Sequence, residues 1–426
     1  MLDRTQAPIS KPLSIPKLPL PNQKTLPNGV DFVWFEDSAQ SLACLELLFP
    51  GSNLETSHKQ STAYAFRMLL EGTKHKSAKQ LADAISYLGA SLDLGHHPDF
   101  DSIQITCLSR YLPDVLKLLS EMWQEPAFPD KEWNTMVETT NQQFTINLQK
   151  TNFLAGRLLR KQLFGTRNDY GYSHDPELIK TFSPELFRSN FNFISGTGPA
   201  LALFSGGATA AILGVVEDWL HTFSRVGKLP VEGEILLETQ KPGVYWHHKD
   251  GSQQASVKIG QFGINARHPD SPLFNLTLEI FGGYFGSRLM SNIREDKGWT
   301  YGIYAQRVSY SARPYWVVGS DVKGDAVHQV LNEIRNESQI LQSELVSEDE
   351  LEKVKNYMLG QFLGSITNCF GLADRYKSVW LNQVDFATVE NNLSKIQHAT
   401  ASQVLESAQL YLGTNDGIIA IAGEKQ

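Results

Sequence analysis

Cysteine is scarce in this chain: Cys44, Cys107 and Cys369 are the three among 426 residues. They lie far apart, are odd in number and show no C-x-x-C spacing. That excludes a disulfide framework and a cysteine zinc site, and a reducing compartment fits best. Surplus positive charge is missing too. With 38 Lys and Arg against 46 Asp and Glu the net charge is −8, so a nucleic-acid partner, which wants a basic face, is not expected. No apolar run of signal-peptide length opens the chain, and the cytoplasm is the expected location. One stretch, Ser195 to Val216, carries no charge over 22 residues, near the length of a membrane span. Gly196, Gly198, Pro199, Gly206 and Gly207 interrupt it. It reads instead as a strand Ala200–Ser205, a Gly-Gly turn and a helix from about Thr209, with no membrane partner. Gly282, Gly283 and Gly286 lack the G-x-x-x-x-G-K-S/T pattern of a phosphate loop and read as a helix end and turn.

What is present is ordinary globular material, 41% hydrophobic and 20% charged, in a chain too long for one core. It is organised as a diverged repeat. Apolar strands open each half, at Ala43–Pro50 and Ala255–Ile264. Helices ending in glycine follow, at Ser61–Gly72 and Ser271–Gly282. Further helices, Ser77–Leu88 and Ser287–Asp296, lead to strand pairs. Ile103, Ile105 and Cys107 alternate in the first half, as do Trp316, Val318 and Ser320 in the second. Amphipathic helices come next, with Val115, Leu118, Leu119 and Met122 on one face, then Val327, Val330, Leu331 and Ile334. Helices Asp130–Gln143 and Ser347–Gln361 close the match. The spacing holds: Ala43 to Ala255 spans 212 residues and Ile103 to Trp316 spans 213.

Local chemistry agrees. Ser77 with Gln80 and Ser347 with Glu350 read as capping boxes, and Gly89 as a glycine just past a helix end. The expected fold is α+β, with two homologous α/β domains, each a sheet covered by helices. The prolines before Asn22 make residues 1–25 an extended strap. A first domain over 26–226, a linker at 227–234 around Lys228, Pro230 and Glu232, and a second domain over 235–426 follow.

Four segments carry a resemblance. They are Ser61–Thr73 (STAYAFRMLLEGT), Lys76–Asp93 (KSAKQLADAISYLGASLD), Tyr170–Gly207 and, most closely, Gly282–Tyr304 (GGYFGSRLMSNIREDKGWTYGIY). With the two-half organisation they resemble the pitrilysin/insulinase family of zinc peptidases over nearly all of the chain after residue 25. The resemblance implies a clam-shell half, with a strand-helix-strand unit over Tyr170–Gly207. The family's signature is H-x-x-E-H: two histidines on one helix face hold zinc, and the glutamate serves as general base. Counting back from Gly72-Thr73 places these on Ala63, Phe66 and Arg67. Counting on from Arg67 places the family's third ligand, a glutamate, on Gln143. Ala and Phe carry no donor atoms, Arg is a fixed cation, and Gln lacks the carboxylate charge. Neither H-x-x-E-H nor H-E-x-x-H occurs elsewhere. His96-His97 and His247-His248 are adjacent pairs that point to opposite faces of a strand, and they read as loop or surface residues, with substrate contact as the alternative. His75 reads as solvated and Cys107 as core.

Active members also use an arginine and a tyrosine of their second half, in R-x-x-x-G-x-x-Y. Arg294 and Tyr301 match that pattern. The resemblance implies that Tyr301 bonds the scissile carbonyl and Arg294 a neighbouring substrate carbonyl, two donors aimed at developing negative charge. The competing reading pairs Arg294 with Asp296 at a helix end and makes Tyr301 a half-buried strand aromatic. A kept Arg/Tyr pair beside an erased zinc site implies a non-catalytic, substrate-binding subunit of a heterodimeric zinc metallopeptidase that degrades short or unfolded peptides. Its partner would be a homologous H-x-x-E-H subunit. Zinc is expected there, and no cofactor is expected in this chain. A structural or peptide-binding protein without peptidase role is the alternative. A self-sufficient peptidase with relocated ligands is a third reading.

Overall fold

The computed structural model describes residues 13–50, 56–171, 174–195, 198–223, 237–238, 241–311, 313–413 and 417–425. The linker expected at 227–234 lies outside them.

Two sheets organise the chain. The first contains β1 (Asn22–Thr25), β2 (Asp31–Glu36), β3 (Leu42–Pro50), β4 (Ser91–His97), β5 (Phe100–Leu108) and β6 (Leu201–Gly206), in the order β1-β2-β6-β3-β5-β4. The second contains β7 (Gly243–His248), β8 (Gln254–Phe262), β9 (Thr300–Val308), β10 (Tyr315–Lys323) and β11 (Ile418–Gly423), in the order β7-β11-β8-β10-β9. Apart from the extra edge strand β1, the two orders correspond strand for strand. Each sheet also has one parallel pair in the same place, β2 with β6 and β7 with β11. The repeat read from the sequence is therefore a repeat of topology: two α/β domains of mixed sheet and helices.

Residue type explains the strands. In β5 the burial alternates along FDSIQITCL, so Ile103, Ile105 and Cys107 face the first core. By contrast, β6 (LALFSG) and β11 (IIAIAG) are buried at every residue. A strand covered on both faces reads as an unbroken apolar run. That accounts for the uncharged Ser195–Val216 stretch, which becomes β6 and the helix Ala210–Leu220. Among the described residues no helix is long and apolar enough to cross a membrane.

One face of each sheet packs on helices of its own half. The other face packs on the opposite half. Leu159, Leu163 and Phe164, from the first-half helix Thr151–Phe164, pack with Val317, Ile418 and Ala420 of the second sheet. Reciprocally, Leu359, Phe362, Ala373 and Phe386 of the second half pack with Val33, Phe35, Leu48 and Leu203 of the first sheet. Polar contacts cross the same boundary. Lys377 reaches both carboxylate oxygens of buried Glu46 on β3, at 2.9 and 3.0 Å. Asp99 accepts from the Tyr170 hydroxyl of its own half and from the Ser311 amide of the other, the latter at 3.0 Å.

Three expectations need correction. Residues 13–21 of the strap belong to no helix or strand, but Asn22–Thr25 forms strand β1, paired with β2. Leu18 of the strap is buried among the second-half helices, and its amide donates to Glu390 at 2.7 Å. The segment Tyr170–Gly207 is not strand-helix-strand: helices Pro176–Ile179 and Pro184–Ser195 precede β6. Proline in the first turn and the Asp175 cap favour helix there. Ser77 and Gln80 form a complete capping box, but Ser347 and Glu350 form only its first half. The Glu350 carboxylate is taken by Arg288 in two bonds of 2.8 Å. Gly282 and Gly283 do close their helix as expected, in a π-helical turn, Glu279–Gly283, with Gly286 in the turn that follows. Gly282 is required by close approach, since a Cβ there would fall 2.8 Å from the Ala305 backbone nitrogen on β9.

Candidate functional site

The helix Thr56–Met68 carries three of the motif positions, and Asp130–Asn147 carries the fourth. Ala63 and Arg67 are four residues apart and share one helix face. They line a cleft of about 580 Å³ together with Gln143. Phe66 does not join them. It is 2% exposed and sits edge-on to Phe49 and Trp123, at 5.5 and 5.8 Å between ring centroids. An aromatic ring gains more from the core than from a wet cleft. A carboxylate at the same position would have to point the other way.

The residues that meet here do not fit zinc. Ala63 has no donor, Arg67 brings positive charge, and Gln143 is a neutral amide donating to Asn147 Oδ1 at 3.3 Å. Among the described residues no group of three or more His, Cys, Asp or Glu side chains could hold a metal ion. Of the histidine pairs, His96 contacts Asp101 at 2.6 Å and His97 approaches Asp99 at 3.6 Å, each turned to its own carboxylate. His96 also lines the cleft. His75 meets Glu125 at 2.7 Å, and His248 meets Asp250 at 2.7 Å.

A hydrogen-bonded chain that sequence reasoning missed forms part of the cleft wall. Tyr64 Oη lies 2.9 Å from His174 Nδ1, and His174 Nε2 lies 3.0 Å from Asn141 Oδ1. With the amide oxygen facing it, Nε2 carries the proton, so Nδ1 accepts from Tyr64. Burial holds the His174 pKa below its ordinary value; Asp175 opposes this, and Arg157 and Arg67 add to it. Burial likewise pushes Tyr64 up to about 12, against the pull of Arg67. The Arg67 guanidinium lies 5.9 Å from the Tyr64 ring centroid. The available signal was Tyr64 itself, three residues before Arg67 on the same helix face.

Arg294 and Tyr301 stand elsewhere; neither lines this cleft. Arg294 lies in the π-helical segment Met290–Asp296, its guanidinium 4.4 Å from the centroid of Phe285. No ion pair joins it to Asp296 among the described residues. Tyr301 is the second residue of β9 and is 92% exposed, so it is not the half-buried aromatic of the competing reading. A bulge sets its direction: Thr300 pairs with Val322 and Ile303 with Ser320, so Tyr301 and Gly302 together oppose the single residue Asp321. Thr300 and Ile303 on either side are buried, the Thr300 hydroxyl on the Asp321 carbonyl at 2.7 Å, while Tyr301 is left pointing out. Around Arg294 the segment is tied down by the Arg288–Glu350 pair and by Asn292 Nδ2 on Glu337 Oε1 at 2.6 Å.

Residues 45–165 match the family described as Insulinase (Peptidase family M16), and residues 202–358 match the Peptidase M16 inactive domain. The chain is 21% identical to a Bacillus subtilis protein called "Uncharacterized zinc protease YmxG" over 347 residues, 80% of this chain and 83% of that one. It is 21% identical to a Helicobacter pylori "Non-peptidase homolog YmxG" over 414 residues, 93% of this chain and 92% of that one. The solved structure of a peptidase M16 inactive domain from Pseudomonas fluorescens has the same fold. Its TM-score is 0.81 at 21% identity, covering 95% of this chain and 98% of that one. The family matches in both halves, the duplicated sheet topology and three of the four motif positions gathered at one cleft agree: this chain belongs to the insulinase (M16) peptidase family.

Proposed function

We propose that the chain is the non-catalytic, peptide-binding subunit of a heterodimeric zinc metallopeptidase, and that it offers Arg294 and Tyr301 to the active site of a homologous H-x-x-E-H partner. One observation carries this reading. The four motif positions hold no ligand set, yet Tyr301 is held out in solvent and Arg294 is braced on Phe285. An aromatic exposed to this degree gains little for the fold, whereas a phenol hydroxyl and a guanidinium each suit the carbonyl oxygens of a peptide. The name of the Helicobacter pylori relative, a non-peptidase homolog, favours the same absence of catalysis in this chain.

The test is reconstitution. The tagged chain, drawn from its native cell, should bring with it a zinc-bearing homologue in a one-to-one complex, through an interface of standard size or larger. The complex should hydrolyse short peptides that this chain alone leaves intact. Recovery of no such chain would leave a structural or peptide-binding role without proteolysis.

A further inference from the structure

The loss of a zinc site requires only that its ligands go. It does not require that a cation take a ligand's place, yet Arg67 stands at the position of the second histidine and lines the cleft. Arg160 lines it as well. Arg167 pairs with Glu238 and Arg288 with Glu350, but among the described residues no ion pair of Arg67 or Arg160 is seen. The acid that lines the cleft, Asp169, already has an interaction of its own. Tyr64, His174 and Asn141 satisfy one another. They form wall, and the charge left over in the lining, beside the neutral Thr139, Thr140, Gln143 and Asn147, is cationic. Beside it lie two aromatic rings, Phe144 and Phe153, edge-on at 5.9 Å. The volume of about 580 Å³ is that of a small-molecule or peptide-end site.

We propose that the cleft is a carboxylate-recognition pocket. Arg67 and Arg160 take the carboxylate of a peptide, and Phe144 and Phe153 take the apolar side chain next to it. A guanidinium matches a carboxylate in two parallel bonds, and such charge-assisted bonds are the strong ones. The choice of a peptide as carrier rests on the peptide-binding reading above; recognition of the carboxylate does not, and it needs no partner subunit. The carboxylate comes from a peptide C-terminus or from an acidic side chain.

Calorimetry on the isolated full chain tests this with three acetylated tripeptides: Ala-Ala-Phe as the free acid, the same peptide as its C-terminal amide, and Asp-Ala-Phe as the amide. The free acid should bind on the order of tenfold or more tighter than its amide. Arg67→Gln should remove that preference, with Arg67→Lys intermediate and Arg160→Gln as a second, independent loss. Arg67 is exposed and Arg160 partly buried, so the Arg67 variants should melt like the native chain, and a melt of Arg160→Gln checks that its loss of preference is not a loss of folding. Tight binding of the Asp-containing amide alone would assign the site to an internal acid. Equal binding of all three peptides would overturn the carboxylate pocket and leave peptide binding standing. Binding of none, or a preference that survives Arg67→Gln, would overturn it as well.

Discussion

Arg294 carries its guanidinium 4.4 Å from the centre of the Phe285 ring, and Phe285 is itself 62% exposed. The ring does little for the core, so its worth lies in aiming the cation. An exposed pair of this kind contributes about 0.5–1 kcal/mol. Phe285→Ala should therefore shift the melting temperature only slightly. In the assembled complex it should raise KM for peptides, in the same direction as Arg294→Ala and by less, because the cation remains but is no longer held. Steady-state kinetics with parallel melts would show it; an unchanged KM for both variants would remove Arg294 from substrate binding.

Tyr301 is expected to act on turnover instead. Its side chain packs on nothing that the fold needs, so Tyr301→Phe should assemble normally. A lost donor to a developing oxyanion lowers kcat on the order of 10²–10³ with little change in KM. Hydrolysis at the native rate in an intact Tyr301→Phe complex would make the residue a plain surface aromatic.

Elemental analysis of the isolated chain should find no equimolar zinc at the Ala63, Arg67 and Gln143 cleft. Restoring the motif should be costly at one position in particular. Ala63 and Arg67 border open space, but Phe66 is buried against Phe49 and Trp123. Phe66→Glu should destabilise by about 3 kcal/mol or more, through the lost aromatic and the buried carboxyl. Chemical denaturation would measure this; a neutral effect would mean that the helix turns easily toward the cleft.

Acid should weaken the molecule through its histidines. Burial lowers the pKa of both His174 and His97 from the ordinary 6.5. A depressed histidine favours the neutral form in the folded state. Its stabilisation is complete above pH 6.5 and is lost as pH falls through the lowered folded value. The melting temperature should decline below pH 6.5. His174→Asn, which keeps an acceptor for Tyr64, should flatten part of that decline. A profile identical to native would assign the effect elsewhere, His97 first.

Much of the fold was legible because it follows from local chemistry. Ile103, Ile105 and Cys107 alternate because only one face of β5 meets the core, and Ser77 with Gln80 closes a helix end without help from distant residues. Pro176 and Pro184 also start helices for local reasons, but the family expectation of a strand there outweighed them. Where Leu18 lands, and why Glu350 leaves its cap for Arg288, depended on partners far along the chain. The motif count brought Ala63, Arg67 and Gln143 to one cleft. It did not foresee Phe66 turning inward, which core packing decides, nor His174 and Arg160, which no spacing in the sequence ties to that helix.

The exchange of helices across the two sheets makes the duplicated chain a single thermodynamic unit. A fragment ending after the first half would leave Val33, Phe35, Leu48 and Leu203 bare, because their covering lies in Leu359, Phe362 and Phe386 of the other half. The second fragment would lack Leu159 and Phe164 in the same way. Each piece has a complete sheet, but each would expose an apolar face that the other half covers. The ancestral doubling thus survives as pattern in the sequence and as mutual dependence in the fold.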